Sequence, residues 1–117
     1  MDATIAGRAM GAIKTLKKLD LSRNAIEELR QDSFVDVVSL EELDLSQNRL
    51  TDLKRGCFRG LPSLKSVDLS HNRIRTFHSD AFVDTPLVEE LKLSFNSLNQ
   101  VKMSKNDFQC FNKSKYV

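Results

Sequence analysis

Long apolar runs and cysteine are scarce in this sequence, and each shortage excludes a class of protein. No segment reaches the roughly eighteen consecutive apolar residues of a membrane-spanning helix, so no span is expected. The two cysteines, Cys57 and Cys110, are too few for a disulfide framework. Residues 1–15 lack the basic start and apolar run of a secretory signal. Taken alone, these shortages favour a reducing compartment or an incomplete chain.

An excess of one charge is also missing. Eighteen Lys and Arg against sixteen Asp and Glu give a net charge of +2, and the two signs are interspersed. Nucleic-acid sites usually show a basic stripe, so we expect no nucleic-acid partner. The sequence has no phosphate loop, no glycine-rich turn and no His or Cys at metal-ligand spacing. We therefore predict no enzyme activity, no cofactor and no metal site.

The sequence does contain a repeat with a period of 24 residues. Near-copies of one segment occupy residues 19–24, 43–48 and 67–72. One aligned position holds Leu16, Leu40, Leu64 and Val88, and another holds Asn24, Asn48, Asn72 and Asn96. The pattern L-x-x-L-x-L-x-x-N-x-L predicts a short strand in each unit. A single unit cannot bury its apolar side, so the units are expected to stack into a solenoid with parallel strands.

Two further columns are expected to be structural. The asparagines can satisfy backbone groups of their own turn and of the next coil, because an amide both donates and accepts. The column Phe34, Phe58 and Phe82 is expected to fill the core opposite the strands. Cys57 beside Phe58 is expected to be a small, semi-buried hydrophobe. It lies too many coils from Cys110 for a disulfide.

These motifs resemble the leucine-rich repeat family, in its 24-residue typical class, over residues 16–98. The resemblance implies an α/β fold: a curved solenoid with a short parallel sheet on the concave face and irregular or short helical segments on the convex face. It also implies protein recognition on the concave side. Members of this class are mostly extracellular receptors and matrix proteins, such as Toll-type receptors of innate immunity and small leucine-rich proteoglycans.

The two ends depart from the repeat. Residues 1–15 are interpreted as a partial repeat or an improvised N-terminal cap, and residues 99–117 as a degenerate last repeat with a truncated C-terminal cap. The segment 106–110, NDFQC, resembles the N-P-F-x-C-x-C opening of the family's C-terminal cap. Asp107 replaces the proline, and Asn112 stands where a second cysteine would be. Asn112 also begins an N-glycosylation sequon. We expect part of a longer extracellular or secreted protein, with a cytoplasmic location as the alternative.

Side chains that point away from the core are the candidates for recognition. The alternating column Lys17, Glu41, Lys65 and Glu89 is expected to stabilise the sheet. The column Asp20, Asp44 and Asp68, which ends at Lys92, is either structural or an acidic patch for a basic protein. It is a poor calcium site, because a flat column offers carboxylates on one side only. A further column, here called the variable column, differs in every repeat and consists of Arg23, Gln47, His71 and Phe95. Arg23 and Phe95 are the best single candidates for contacting a partner. The predicted partner-binding residues are Lys18, Asp20, Arg23, Glu42, Asp44, Gln47, Asp68, His71, Lys92 and Phe95.

The sequence favours a protein-binding module that uses the concave face and takes a protein ligand or co-receptor. One alternative is a structural protein that self-associates through uncapped ends, because open strand edges favour pairing. Another is an intracellular scaffold.

Overall fold

A computed structural model describes residues 14–78, 80–97 and 115–116, the last two by their backbone alone. All of the regular elements in these residues are short strands. They are β1 (Lys18–Asp20), β2 (Glu42–Asp44), β3 (Asp52–Leu53), β4 (Ser66–Asp68), β5 (Thr76–Phe77), β6 (Glu90–Lys92) and β7 (Lys115–Tyr116).

The main sheet is parallel throughout, with the strand order β1-β2-β4-β6-β7. Its register follows the repeat, since Leu19 pairs with Leu43, Leu43 with Val67 and Val67 with Leu91. β3 and β5 form a second parallel pair. The predicted solenoid with a short parallel sheet is confirmed. The strand beside β6 is β7, which lies within the predicted end segment 99–117; the rest of that segment lies outside the described residues.

The core forms because each strand turns its central residue inward. Leu43, Val67 and Leu91 are buried, while the residues on either side of them point outward. The column Leu40, Leu64 and Val88 is also buried. Opposite the strands, Phe58 is fully buried between Phe34 and Phe82, at ring-centroid distances of 6.3 and 5.1 Å. The predicted phenylalanine packing is therefore confirmed.

The convex side of each coil consists of turns and extended segments. No helix is present between residues 14 and 78 or between 80 and 97, so the irregular form of the convex side applies there. Gly60 belongs to one of these turns and has a φ of 92°. A β-carbon at Gly60 would lie 2.7 Å from the α-carbon of Val35 in the preceding coil. A glycine is needed here both for its backbone conformation and for this close approach.

The asparagine side chains bind backbone groups as predicted, but on the preceding coil instead of the next one. The side-chain nitrogen of Asn48 donates to the carbonyls of Leu45 and Ser46 in its own turn, and to Leu21 O in the preceding coil. Its side-chain oxygen accepts from Ile26 N, also in the preceding coil. Asn72 and Asn96 repeat this pattern. The prediction of bonds to the next coil was wrong, because the turn aims the amide back along the solenoid.

The predictions for the ends fall mostly outside the described residues. These include residues 1–13 of the partial repeat or improvised cap predicted at 1–15, the cap-like segment 106–110 and the sequon at Asn112. Within the described segments, no helix is long and apolar enough to cross a membrane.

Candidate partner-binding surfaces

The outward residues of β1, β2, β4 and β6 together form one shallow groove, here called the concave face. The charged residues that line it are Lys18, Asp20, Glu42, Asp44, Asp68, Glu90 and Lys92. Five carboxylates against two lysines give this face a net charge of −3. Six of the ten predicted partner-binding residues are among them, so the parallel register brings these six together.

Both lysines of the concave face already have acidic partners. Lys18 Nζ lies 3.4 Å from a carboxylate oxygen of Glu42, and Lys92 Nζ lies 3.9 Å from one of Glu90. All four side chains are well exposed, so solvent weakens these pairs. The aspartates between the two pairs supply the remaining negative charge.

The aspartate column also shapes the end of each strand. Asp44 Oδ1 accepts hydrogen bonds from the backbone nitrogen and the hydroxyl of Ser46, at 2.9 and 2.6 Å. Asp68 binds Ser70 in the same way, and Asp20 accepts from Ser22 N. Ser22, Ser46 and Ser70 therefore have a structural role at the strand ends. The aspartates turn the chain out of the strand through one oxygen while they line the concave face.

The alternating charged column lies one residue before the strands. Glu41 pairs with Lys17 at 3.2 Å and with Lys65 at 3.3 Å, each with a different carboxylate oxygen. Hydrogen bonds from Lys17 and Lys65 lower the pKa of Glu41 below its ordinary value of 4.5. This column joins three consecutive coils through the alternating charges on which the predicted stabilising role rests.

The variable column has a feature that sequence reasoning missed. Arg23, Gln47, His71 and Phe95 all have left-handed backbones, with φ between 56° and 59°. The N–H groups of Arg23, Gln47 and His71 bind across to the next coil, as when Gln47 N donates to Ser70 O at 3.0 Å. Left-handed backbone is costly for bulky residues, which are rarely found there. Glycine or asparagine at this position would have predicted a left-handed backbone, but neither residue occurs there.

Phe95 is the most exposed large apolar side chain in the described residues, at 74% exposure. Its ring stacks on the ring of His71 in the preceding coil, with centroids 4.4 Å apart and planes within 13°. The observed contact of Phe95 is with His71.

The variable column borders a second groove at the ends of the strands. Arg23, Gln47 and His71 line it together with Arg49 and Arg73, which sequence reasoning did not single out. Arg49 and Arg73 each follow an asparagine of the structural column, so they occupy equivalent places in adjacent coils. This surface, the arginine groove, contains no carboxylate in its lining.

Within residues 14–78 and 80–97, no three His, Cys, Asp or Glu side chains converge to hold a metal ion. The thiol of Cys57 is fully buried, and burial raises its pKa to about 12. Such a thiol is a poor nucleophile, because the thiolate is the reactive form.

Solved structures similar to this chain are leucine-rich repeat proteins. Toll in the glycosylated Drosophila Toll–Spatzle complex aligns with a TM-score of 0.79 and 25% identity, covering 98% of this chain and 17% of that one. TLR13 in its complex with ssRNA13 aligns with a TM-score of 0.74 and 29% identity, covering 84% and 14%. This chain therefore spans 17% of the length of the Toll chain and 14% of that of the TLR13 chain.

A third structure shows how widely the fold is shared. The Drosophila melanogaster SNF/U2A' complex contains a chain with a TM-score of 0.60 and 23% identity, covering 85% of this chain and 55% of that one. At this identity the likeness concerns the fold alone. No curated protein sequence matches this chain.

The family itself is decided by the sequence. The leucine rich repeat family matches at residues 4–50, 14–74 and 39–98, which overlap to span 4–98. This range contains every asparagine and phenylalanine of the two structural columns. The chain therefore belongs to the leucine-rich repeat family.

Proposed function

We propose that this chain is a protein-binding module and that its concave face binds a basic segment of a protein partner. The carrying observation is the net charge of −3 on this face of a chain whose overall charge is +2. Concentrating one sign of charge in a groove favours ligands of the opposite sign and speeds their association. The likeness to Toll supports a protein ligand, since Toll is captured in a complex with Spatzle.

The partner would lie across the strands of β1, β2, β4 and β6 and exchange contacts with Glu42 and Glu90. Both glutamates are charged neighbours of lysines on the same face. A basic side chain of the partner can replace Lys18 or Lys92 at these carboxylates. The aspartates add charge, although their bonds to serine fix their positions.

The same reasoning favours a recognition role over catalysis. The charged residues of the concave face form ion pairs or hydrogen-bond to serines at the strand ends. The thiol of Cys57 is fully buried. We place the module in the extracellular part of a longer receptor or secreted recognition protein, in line with its likeness to Toll and TLR13. A cytoplasmic scaffold is the alternative location.

The test uses a synthetic ten-residue peptide that alternates lysine with leucine. We expect it to bind the full chain, and we expect the double change Glu42→Lys with Glu90→Lys to weaken binding at least tenfold in calorimetry. The matched control is Glu27→Lys with Glu28→Lys, two exposed glutamates that do not line the concave face. Equal loss in both double variants, or binding that ignores the charge reversal, would reject the concave face.

A self-associating module is the second candidate. β1 forms one edge of the described sheet, and its Leu19 is only partly buried. Exposed strand edges of this kind pair readily with another chain. Sedimentation over a wide concentration range tests it: the change Leu19→Lys should abolish concentration-dependent association if β1 pairs with a second copy. A monomer at all concentrations would exclude the idea.

A further inference from the structure

Three arginines at the ends of the strands have no carboxylate within 4.0 Å among the described residues, although, besides the hydrogen bonds from Ser22, the charge of Arg23 helps to lower the pKa of Asp20. They are Arg23, Arg49 and Arg73, and all three are exposed. Most other basic residues in the described segments have an acidic partner within 4.0 Å: Lys17, Lys18, Arg30, Arg55, Arg59, Lys65, Arg75 and Lys92. The unpaired arginines are thus gathered in one groove rather than scattered.

The geometry of the coils places these charges close together. Arg49 N donates to Ile26 O, and Arg73 N donates to Leu50 O, so each arginine is held against the coil before it. Their backbones are one coil apart, roughly 4.8 Å if the strand spacing continues into the turns. The arginine side chains line one surface, where their like charges repel each other and a bound anion would relieve that repulsion.

The other residues of the groove can contribute polar and aromatic contacts. Gln47 and His71 lie between the arginines, and both are exposed. At one end, the stacked rings of His71 and Phe95 present an apolar surface. The four residues of the variable column also share a left-handed backbone that is unfavourable for their size. Strained backbone of this kind is concentrated at functional sites.

We infer that the arginine groove binds an acidic, extended peptide segment of a partner protein, with an apolar side chain of that segment against the His71–Phe95 ring pair. Arginine binds carboxylates through two parallel hydrogen bonds, which gives both affinity and orientation. In an extended chain, side chains on one face recur about every 6.6 Å, within reach of arginines from neighbouring coils. The groove is separate from the concave face and takes the opposite charge.

A carboxylate peptide suits the surroundings better than a nucleic acid. The adjoining concave face carries Asp20, Asp44 and Asp68, which would repel the continuous phosphate backbone of a longer strand. Nucleic-acid affinity also depends on neutralising many phosphates, whereas this groove offers three arginines. A short segment with two or three carboxylates can occupy the groove without crossing the aspartates.

The probe is a fluorescent ten-residue peptide with glutamate at alternate positions and leucine at its C-terminal end. Fluorescence anisotropy should show binding to the full chain, and Arg49→Gln with Arg73→Gln should weaken it at least tenfold. Arg55→Gln with Arg59→Gln is the matched control, because it removes the same charge from arginines paired with Asp80 and Asp32 elsewhere. The change Phe95→Ala should weaken binding of this peptide but not of one ending in glycine.

Circular dichroism establishes that each variant remains folded before its affinity is compared. Equal weakening in the two double variants would show that only the overall charge of the protein matters, and this would overturn the proposed site. No binding of the glutamate peptide would overturn it as well. Tighter binding of a ten-nucleotide oligouridylate, lost on changing Arg49 and Arg73, would replace the acidic peptide with a nucleic acid as the partner and also overturn the inference.

Discussion

The side-chain nitrogen of Asn48 donates a hydrogen bond to Leu21 O, 27 residues earlier in the chain, at 3.0 Å. The oxygen of the same amide accepts from Ile26 N at 3.1 Å. One side chain thus satisfies two backbone groups of the preceding coil, Leu21 O and Ile26 N, that are not hydrogen-bonded within the sheet. Asn24 differs, because the hydrogen bonds described for its side chain go only to Leu21 O and Ser22 O of its own turn.

This difference predicts unequal effects of the same substitution. Asn48→Ala leaves Ile26 N and several carbonyls without partners, and each unsatisfied buried group costs about 1–3 kcal/mol. We expect a loss of about 3 kcal/mol in the free energy of unfolding, against about 1 kcal/mol for Asn24→Ala. Urea denaturation of both variants measures the difference. Similar losses at the two positions would show that the bonds to the preceding coil carry little of the stability.

The phenylalanine stack predicts a large loss on truncation at its centre. Phe58 is fully buried and touches both neighbouring rings, so Phe58→Ala leaves a cavity and should cost about 3–5 kcal/mol. Phe95→Ala is the comparison, since that ring is 74% exposed and stacks only on His71 in the described residues. It should cost about 1 kcal/mol or less. Thermal unfolding followed by circular dichroism would contradict this account if the two variants lost equal stability.

Gly60 and Gly56 allow close packing and backbone conformation to be separated. Both have positive φ, at 92° and 71°. A methyl group at Gly60 meets the backbone of Val35 at 2.7 Å, whereas at Gly56 the nearest atom is the side-chain nitrogen of Gln31 at 3.2 Å, which can move. We expect Gly60→Ala to cost about 2–4 kcal/mol and Gly56→Ala about 1 kcal/mol. A ranking in the opposite order, measured by chemical denaturation, would refute the role of the close contact.

Glu41 predicts a pH-dependent contribution to stability. Its pKa is lowered in the folded chain, so the folded state favours the charged carboxylate. The contribution is therefore present above the ordinary pKa of 4.5 and is lost as the pH falls through the lower folded value. At pH 7 the Tm should be slightly higher than that of Glu41→Gln, and the difference should vanish in acid. A Tm difference between the two chains that persists unchanged in acid would contradict this account.

The sheet and the core could be predicted because the repeat places equivalent residues in register. Once Leu43 and Asn48 are aligned with their counterparts in the other repeats, parallel pairing fixes which of the side chains between them point inward and which point outward. The direction of the asparagine bonds could not be predicted, since an amide can bond forwards or backwards along the solenoid. That choice depends on the turn geometry, which the sequence pattern does not contain.

The candidate surfaces were only partly predictable for a similar reason. Lys18, Asp20, Glu42, Asp44, Asp68 and Lys92 share the concave face because alternation along a strand fixes it. Arg49 and Arg73 were missed because they follow the asparagines, beyond the alternating strand. Their approach to Arg23 depends on how the chain leaves each strand. The left-handed backbone of that column has no glycine or asparagine to reveal it.

The backward direction of the asparagine bonds gives the solenoid an order of assembly. Ile26 N finds its partner only when Asn48 is in place, and Leu50 N only when Asn72 is. Each coil is thus completed by the one that follows it. A ribosome releases the coils in this same order, so every newly emerged coil can finish its predecessor without waiting for the remainder of the protein. During synthesis we therefore expect each emerging coil to satisfy the open backbone groups of the coil before it.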